Sequence, residues 1–203
     1  MGNIKGMRIK FILAVLVQLI FLCVMIGGKA YTLAYGEKIL LKSAPVDPTS
    51  LFSGDYIRLN YDISTIEIKN VNTDIDFSKA KSDYNSEEYR TMEKQLQKVY
   101  VKLQKKDGDR FWSVVSMTHD KPVAAPDELV IMGHDGEYLA WTDKPSVRLK
   151  YGIESYYIAE GTGAQYEKSM SDKSSDTYVE VSVDRNGSAG IIAIYQDGKK
   201  INQ

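Results

Sequence analysis

Two acids and two histidines are the first residues to question in this 203-residue sequence. Asp55 follows Gly54 at a turn-to-strand junction, and Glu160 sits between Ala159 and Gly161, where a glycine-flanked acid has little structural reason to be. Two carboxylates held at a defined separation, with their pKa values pushed apart, carry general acid–base catalysis. Inverting glycosidases, for example, use a separation of ~6.5–9.5 Å. His119 and His134 are each followed by an aspartate, Asp120 and Asp135. With Glu154 or Glu160 they would offer the nitrogen and oxygen donors that zinc takes. Both His119-Asp120-Lys121-Pro122 and Gly133-His134-Asp135-Gly136 read as turns, however, without ligand spacing on one face of a helix or strand. They are therefore read as loop residues, with no metal and no cofactor expected. The single cysteine, Cys23, excludes an intramolecular disulfide and a cysteine-rich metal site.

Tyrosine is the other chemistry-bearing residue in abundance: the chain has 14, the first at Tyr31. Tyr56, Tyr61, Tyr151, Tyr156 and Tyr157 fall in two short segments. An amphipathic ring serves a binding surface, because one end buries while the hydroxyl stays wet. β-Propensity alone also accounts for tyrosines on half-buried strands. The candidate binding residues are Asp55, Tyr56, Arg58, Tyr61, Tyr157 and Glu160; no catalytic residue is assigned.

Charge is as unevenly distributed as tyrosine. The net charge is −1, from 26 basic and 27 acidic residues. Residues 1–29 carry Lys5, Arg8, Lys10 and Lys29 and no acid, so the remainder has a surplus of acids. A domain without a basic surplus argues against nucleic acid as a partner. Between Lys10 and Lys29, Phe11 to Gly28 contains no charge and one polar residue, Gln18. Its length approaches the ~20 residues that cross a hydrocarbon core. A helix apolar on every face has no place in the core of so small a domain. The preceding Lys5, Arg8 and Lys10 predict a cytoplasmic N-terminus by the positive-inside bias.

The alternative is a signal peptide cleaved after Ala30, since Gly28-Lys29-Ala30 is a small-x-small site. The apolar stretch exceeds the usual ~7–15 residues of a signal core, which favours a retained signal-anchor. Cys23 follows bulky Leu22, unlike a lipoprotein cysteine, and reads as an inert membrane thiol. The expected organisation is a cytoplasmic basic tail at 1–10, a transmembrane signal-anchor at 11–28, a linker at 29–38 and an extracytoplasmic domain at 39–203.

The elements that must position the candidate residues are mainly strands. Lys38–Lys42 is a short strand candidate. Ile57, Leu59, Tyr61 and Ile63 alternate with Tyr56, Arg58, Asn60 and Asp62, which predicts one half-buried strand. Val99, Val101 and Leu103 repeat the pattern, the 111–117 stretch follows it less cleanly, and Leu129–Met132 is a short apolar run ending at Gly133. Val179, Val181 and Val183 alternate with polar neighbours, and Asn186-Gly187 then predicts a hairpin with Ile191–Tyr195. Asp197-Gly198 offers one more turn. One segment is helical instead: after Asn85-Ser86, Tyr89, Met92 and Leu96 fall at helical spacing within 87–97. A shorter helix is expected at 163–170, and 68–86 reads as a long loop or insertion. The fold class is thus mainly β, an antiparallel, β-rich α+β domain with one or two short helices, preceded by one transmembrane helix.

The densest local signal runs from Pro45 to Tyr61. Asp47-Pro48 is an N-cap followed by a first-turn proline, Leu51 and Phe52 close a single helical turn, and Gly54 suits its left-handed end. This stretch resembles the GDYxxLxY proteins, a bacterial family named for its motif. All fixed positions are present as Gly54, Asp55, Tyr56, Leu59 and Tyr61. Tyr151-Gly152-Ile153-Glu154-Ser155-Tyr156-Tyr157, Glu160-Gly161-Thr162-Gly163 and Glu167 resemble the family's second recurring segment, so the likeness covers roughly 35–198. It implies a membrane-anchored extracytoplasmic domain of about this size, often encoded beside or fused to a multi-spanning membrane protein, and no catalytic residue is carried over with it.

A weaker likeness joins Pro48-Thr49 and Gly54-Asp55 to the nucleophile region of signal peptidases. The nucleophile position holds Pro45 here, so the likeness implies at most a shared or decayed β-fold. The resulting expectation is a single-pass membrane protein whose outer domain binds or assembles with another membrane protein. An envelope hydrolase with Asp55 and Glu160 as paired carboxylates is the rival reading.

Overall fold

The computed structural model describes residues 4–43, 56–78, 86–140, 143–157 and 176–201. Helix α1 (Ile4–Tyr35) is followed, after Gly36 alone, by β1 (Glu37–Lys42). Next come β2 (Tyr56–Arg58), β3 (Thr65–Glu67), β4 (Asn72–Thr73), α2 (Glu87–Leu96), β5 (Lys98–Lys105), β6 (Trp112–Thr118) and β7 (Glu128–Leu139). The chain continues with β8 (Ser146–Lys150), β9 (Ser155–Tyr157), β10 (Thr177–Val183), β11 (Ala189–Gln196) and β12 (Lys199–Lys200).

These strands form a four-stranded sheet ordered β1-β10-β11-β12, a six-stranded sheet ordered β3-β8-β7-β5-β6-β4 and a two-stranded ribbon, β2-β9. All the pairings are antiparallel except the two-residue β4–β6 contact, which is parallel. The fold is therefore the β-rich, antiparallel class that the alternation predicts.

Both larger sheets feed one core. Ile39, Leu41, Val179, Val181 and Ile194 from the smaller sheet join Val99, Val101, Leu103, Ile131, Val147 and Leu149 from the larger. Each of these apolar side chains removed from water contributes ~1.5–3 kcal/mol. Helix α2 covers the larger sheet with Tyr89, Met92 and Leu96, the face its spacing predicts. Ser86 caps it by accepting a hydrogen bond from Tyr89 N (3.1 Å), and Glu87 and Glu88 complement the positive end of the helix dipole. The C-terminal hairpin forms as Asn186-Gly187 predicts, with Gly187 at φ 86°. Its tip also joins the two sheets, because Met132 N in β7 donates to Gly187 O (2.8 Å). A Cβ on Gly187 would stand 2.9 Å from Met132 N, so the close approach requires glycine as much as the backbone angle does.

Four expectations are corrected. First, Gly133-His134-Asp135-Gly136 is not a turn: β7 runs through it to Leu139. A register shift between His134 and Glu137, with Asp135 at φ 49°, makes it a bulge inside one long strand. Gly136 is there to let α2 approach, since a Cβ would lie 2.7 Å from that of Leu96.

Second, Leu59, Tyr61 and Ile63 are buried and Arg58, Asn60 and Asp62 exposed, as the alternation says, but no continuous strand links them. Tyr61 makes an isolated bridge to Ser43, and Asp62–Ser64 is a single 3-10 turn. Ser64 closes that turn by donating N–H to Tyr61 O (2.8 Å) and accepting Tyr61 N–H at Oγ (3.2 Å).

Third, residues 68–78 are no loop insertion. A 3-10 turn at Ile68–Asn70 leads into β4, and Ile75 and Phe77 enter the core. Fourth, the linker expected at 29–38 is absent, because the helix persists to Tyr35. The helix expected at 163–170 and the capped turn at 47–54 lie outside the described residues.

Helix α1 is long and apolar enough to cross a membrane, and none of its apolar window is buried against the domain. Only its last two turns touch protein. Lys29 Nζ donates to Ala189 O (2.7 Å), Thr32 Oγ1 donates to Asp184 Oδ2 (2.6 Å), and Ser182 Oγ donates to Thr32 O (2.6 Å). The other oxygen of Asp184 accepts Asn186 N–H (2.8 Å) and Ser188 N–H (3.1 Å). One carboxylate thus holds both the hairpin turn and the base of the helix.

Candidate functional site

The two tyrosine-rich segments, a hundred residues apart in sequence, are adjacent in space. β2 pairs with β9 in the register Tyr56↔Tyr157, Ile57↔Tyr156 and Arg58↔Ser155. Alternation along each strand sorts the ribbon into two faces. Tyr156 is buried on one; Arg58, Ser155 and Tyr157 are exposed on the other, with Tyr157 at 73%.

Just beyond β2, the chain is tied to the second segment by a reciprocal tyrosine clasp. Tyr61 OH donates to Ile153 O (2.6 Å), and Tyr151 OH donates to Ile63 O (2.7 Å). Leu59 N donates to Glu154 O (2.8 Å) between them. The Glu154 carboxylate folds back to accept Tyr151 N–H (2.5 Å) and Gly152 N–H (3.1 Å), and Gly152 takes a left-handed φ of 73°. Both phenols are buried, and burial, reinforced by the nearby Glu154 charge, holds each well above the usual tyrosine range. They are neutral donors locked onto backbone carbonyls.

This geometry divides the predicted residues. Tyr61, proposed for a binding surface, is 1% exposed and belongs to the core, because its hydroxyl is spent on Ile153 O. Arg58 and Tyr157 share the exposed ribbon face, and Tyr56 occupies the position paired with Tyr157. Asp55 and Glu160 lie outside the described residues, so the paired-carboxylate separation is not defined. Glu154, considered as a metal ligand, is occupied by two backbone amides. His134 Nδ1 stands 3.5 Å from Asp135 Oδ2 on the β7 bulge, and His119 lies in the loop after β6. Among the described residues no cluster of three metal-binding side chains occurs.

The family model of the GDYXXLXY protein matches residues 18–194. The chain belongs to the GDYXXLXY family. No curated protein and no solved structure matches it. Within the GDYXXLXY motif, Leu59 and Tyr61 have defined structural work: Leu59 is buried and hydrogen-bonded through its backbone, and Tyr61 is one half of the clasp. The clasp itself was missed in the sequence, although Tyr61 and Tyr151 were both visible there. What signals it is the pairing of a tyrosine in each family segment with a backbone it cannot reach locally.

Beside the motif, where Tyr61 leads into the 3-10 turn, lies an open cleft of about 410 Å³ whose lining includes Lys42, Asp62, Glu67, Asp109, Phe111 and Trp112. Glu67 is held below the ordinary carboxylate range by its hydrogen bond with Lys144, whose Nζ is 3.1 Å away, so it is ionised and cannot serve as a general acid near neutrality. Next to the cleft, Arg110 lies 3.8 Å from the centroid of the Tyr178 ring, which stacks on Tyr195 at 5.0 Å. Arg110 also pairs with Asp176 at 3.1 Å, so this cation is already engaged on both sides.

Proposed function

We propose that the chain is a membrane-anchored binding module. Residues 11–28 hold it in the bilayer with the N-terminus in the cytoplasm, and the β-rich domain stands on the extracytoplasmic side. There it engages a multi-spanning membrane protein through the exposed face of the β2–β9 ribbon. The observation that carries this reading is the strand pairing of the two family segments. Packing accounts for Leu59, Tyr61, Tyr151 and Tyr156, which are buried. Arg58 and Tyr157 stand on the opposite, exposed face, and a tyrosine beside an arginine is the composition of an interface anchor.

Retention of the anchor is supported by its continuity with the domain. The Gly28-Lys29-Ala30 site lies inside α1, and Lys29 and Thr32 on either side of it are hydrogen-bonded to the hairpin. A signal-processing protease needs its substrate extended, and unwinding this turn would break those bonds. Lys5, Arg8 and Lys10 before Phe11 support the orientation.

Full-length Tyr157→Ala and Arg58→Glu chains, solubilised in mild detergent after cross-linking in native membranes, test the reading. Both substitutions are on exposed side chains, and the melting temperature of each variant is measured alongside so that only folded chains are compared. Recovery of a multi-spanning membrane protein with the parent chain, and its loss with either variant, is the expected result. Equal recovery from both folded variants would remove the ribbon from consideration as the binding face.

A further inference from the structure

The docked base of α1 fixes what can happen at Gln18. Contacts of Lys29 and Thr32 with the hairpin leave no room for lipid there, so the hydrocarbon segment ends at about Gly28. With Lys10 at the other boundary, Gln18 falls within ~2 Å of the middle of an 18-residue apolar run at 1.5 Å per residue. Gln18 is exposed, like its neighbours along the helix. A glutamine side chain is far too short to reach either interface from the midplane. Its amide, with two donors and an acceptor, therefore meets hydrocarbon unless another helix supplies a polar group.

Helical phase says which side of α1 that group occupies. From Gln18 to Lys29 is about three turns, and from Gln18 to Thr32 about four. Gln18 thus points to the same side as the two residues that dock on the hairpin. The β10–β11 end of the domain consequently overhangs the Gln18 face. A second copy of this chain packed there in parallel would carry its own α1 straight into that overhang, since α1 remains helical to Tyr35. A helix crossing angle of ~20° does not clear a sheet over the ~16 Å between Gln18 and Lys29.

We infer that the Gln18 face of α1 is an intramembrane docking site for a transmembrane helix of the multi-spanning partner, one that carries a polar side chain at the midplane and ends at the membrane surface beneath the domain. The site is continuous with the interface by which α1 already holds the hairpin. It rests on the partner class proposed above, but it does not depend on the ribbon.

The test uses the full chain, labelled in the domain and reconstituted in phosphatidylcholine vesicles. The probe is a 20-residue lysine-flanked leucine-alanine transmembrane peptide with one central glutamine, and its all-apolar counterpart is the control. Energy transfer should report association with the glutamine peptide about 3- to 30-fold stronger than with the control, the range of one interhelical hydrogen bond. Gln18→Leu should abolish the difference, and Leu16→Gln, on another face, should not restore it when combined with Gln18→Leu. Equal association with both peptides, a preference that survives Gln18→Leu, or self-association of the chain that depends on Gln18 would each overturn the inference. Because the transmembrane peptide offers the ribbon nothing to bind, such a failure leaves the Tyr157 and Arg58 experiment standing, and the converse also holds.

Discussion

Replacing Tyr61 by phenylalanine tests the clasp that joins the two family segments. Phenylalanine keeps the ring in the core and removes only the hydroxyl that donates to Ile153 O at 2.6 Å. The buried carbonyl then loses its donor, and a lost buried hydrogen bond costs ~1–3 kcal/mol. For a domain of this size that is ~2–4 °C in melting temperature per kcal/mol, or about 4–8 °C for a 2 kcal/mol loss. Tyr151→Phe removes the reciprocal bond and should cost a similar amount. Because both hydroxyls brace the same pair of segments, the double variant should depart from additivity by ~0.5–3 kcal/mol.

The pH dependence supplies an independent reading of the same clasp. Each buried phenol has its folded-state pKa raised, chiefly by burial, so the folded state keeps its proton after the unfolded state has lost it. Their stability contribution is complete below the unfolded value near 10 and falls as pH rises above it. Each tyrosine adds ~1.36 kcal/mol of loss per pH unit in that window. Urea unfolding of the full chain in nanodiscs, followed by tryptophan fluorescence at pH 9 to 11.5, should show a shallower alkaline decline in Tyr61→Phe than in the parent. The reasoning is refuted if Tyr61→Phe melts within about 1 °C of the parent and keeps the parent's alkaline slope.

Three further outcomes follow from the packing. Gly136→Ala should destabilise the domain by ~1–3 kcal/mol through overpacking against Leu96, whereas Gly27→Ala, with nothing within 4 Å of the added carbon, should leave its melting unchanged. Ser86→Ala should cost ~1 kcal/mol by uncapping α2, and Ser86→Asn should be nearly neutral, both measured by denaturant midpoint. Asp184→Ala removes the carboxylate shared by Thr32, Asn186 and Ser188; limited proteolysis should then cut near residues 30–36 several-fold faster, while Arg185→Ala should leave cleavage at the parental rate.

Much of the architecture was readable wherever one face of an element is wet and the other dry. β5 and β10 alternate because they cover one core, and α2 declares itself through Ser86 and the Tyr89, Met92 and Leu96 spacing. The family segments were equally plain. Sequence pattern failed where a residue's role depends on a distant neighbour. Gly133 to Asp135 and Gly136 carry every local mark of a turn, yet pairing with β5 and β8 keeps them in one strand. Tyr61 looked like an interface residue because nothing near it in sequence reveals that Ile153 O awaits its hydroxyl. The loss of the linker has the same origin: residues 29–35 stay helical because the hairpin from the far end of the chain holds Lys29 and Thr32.

The account depends most on a domain held outside the cell by an uncleaved α1. A Cys23→Ser chain carrying Ser155→Cys on the exposed ribbon face, treated in intact cells with a membrane-impermeant maleimide, tests this directly. The account predicts labelling without permeabilisation, in a membrane-bound product whose intact mass still includes residues 4–35. Labelling that appears only after the cells are opened, or a labelled product beginning at Tyr31 in the soluble fraction, would contradict it.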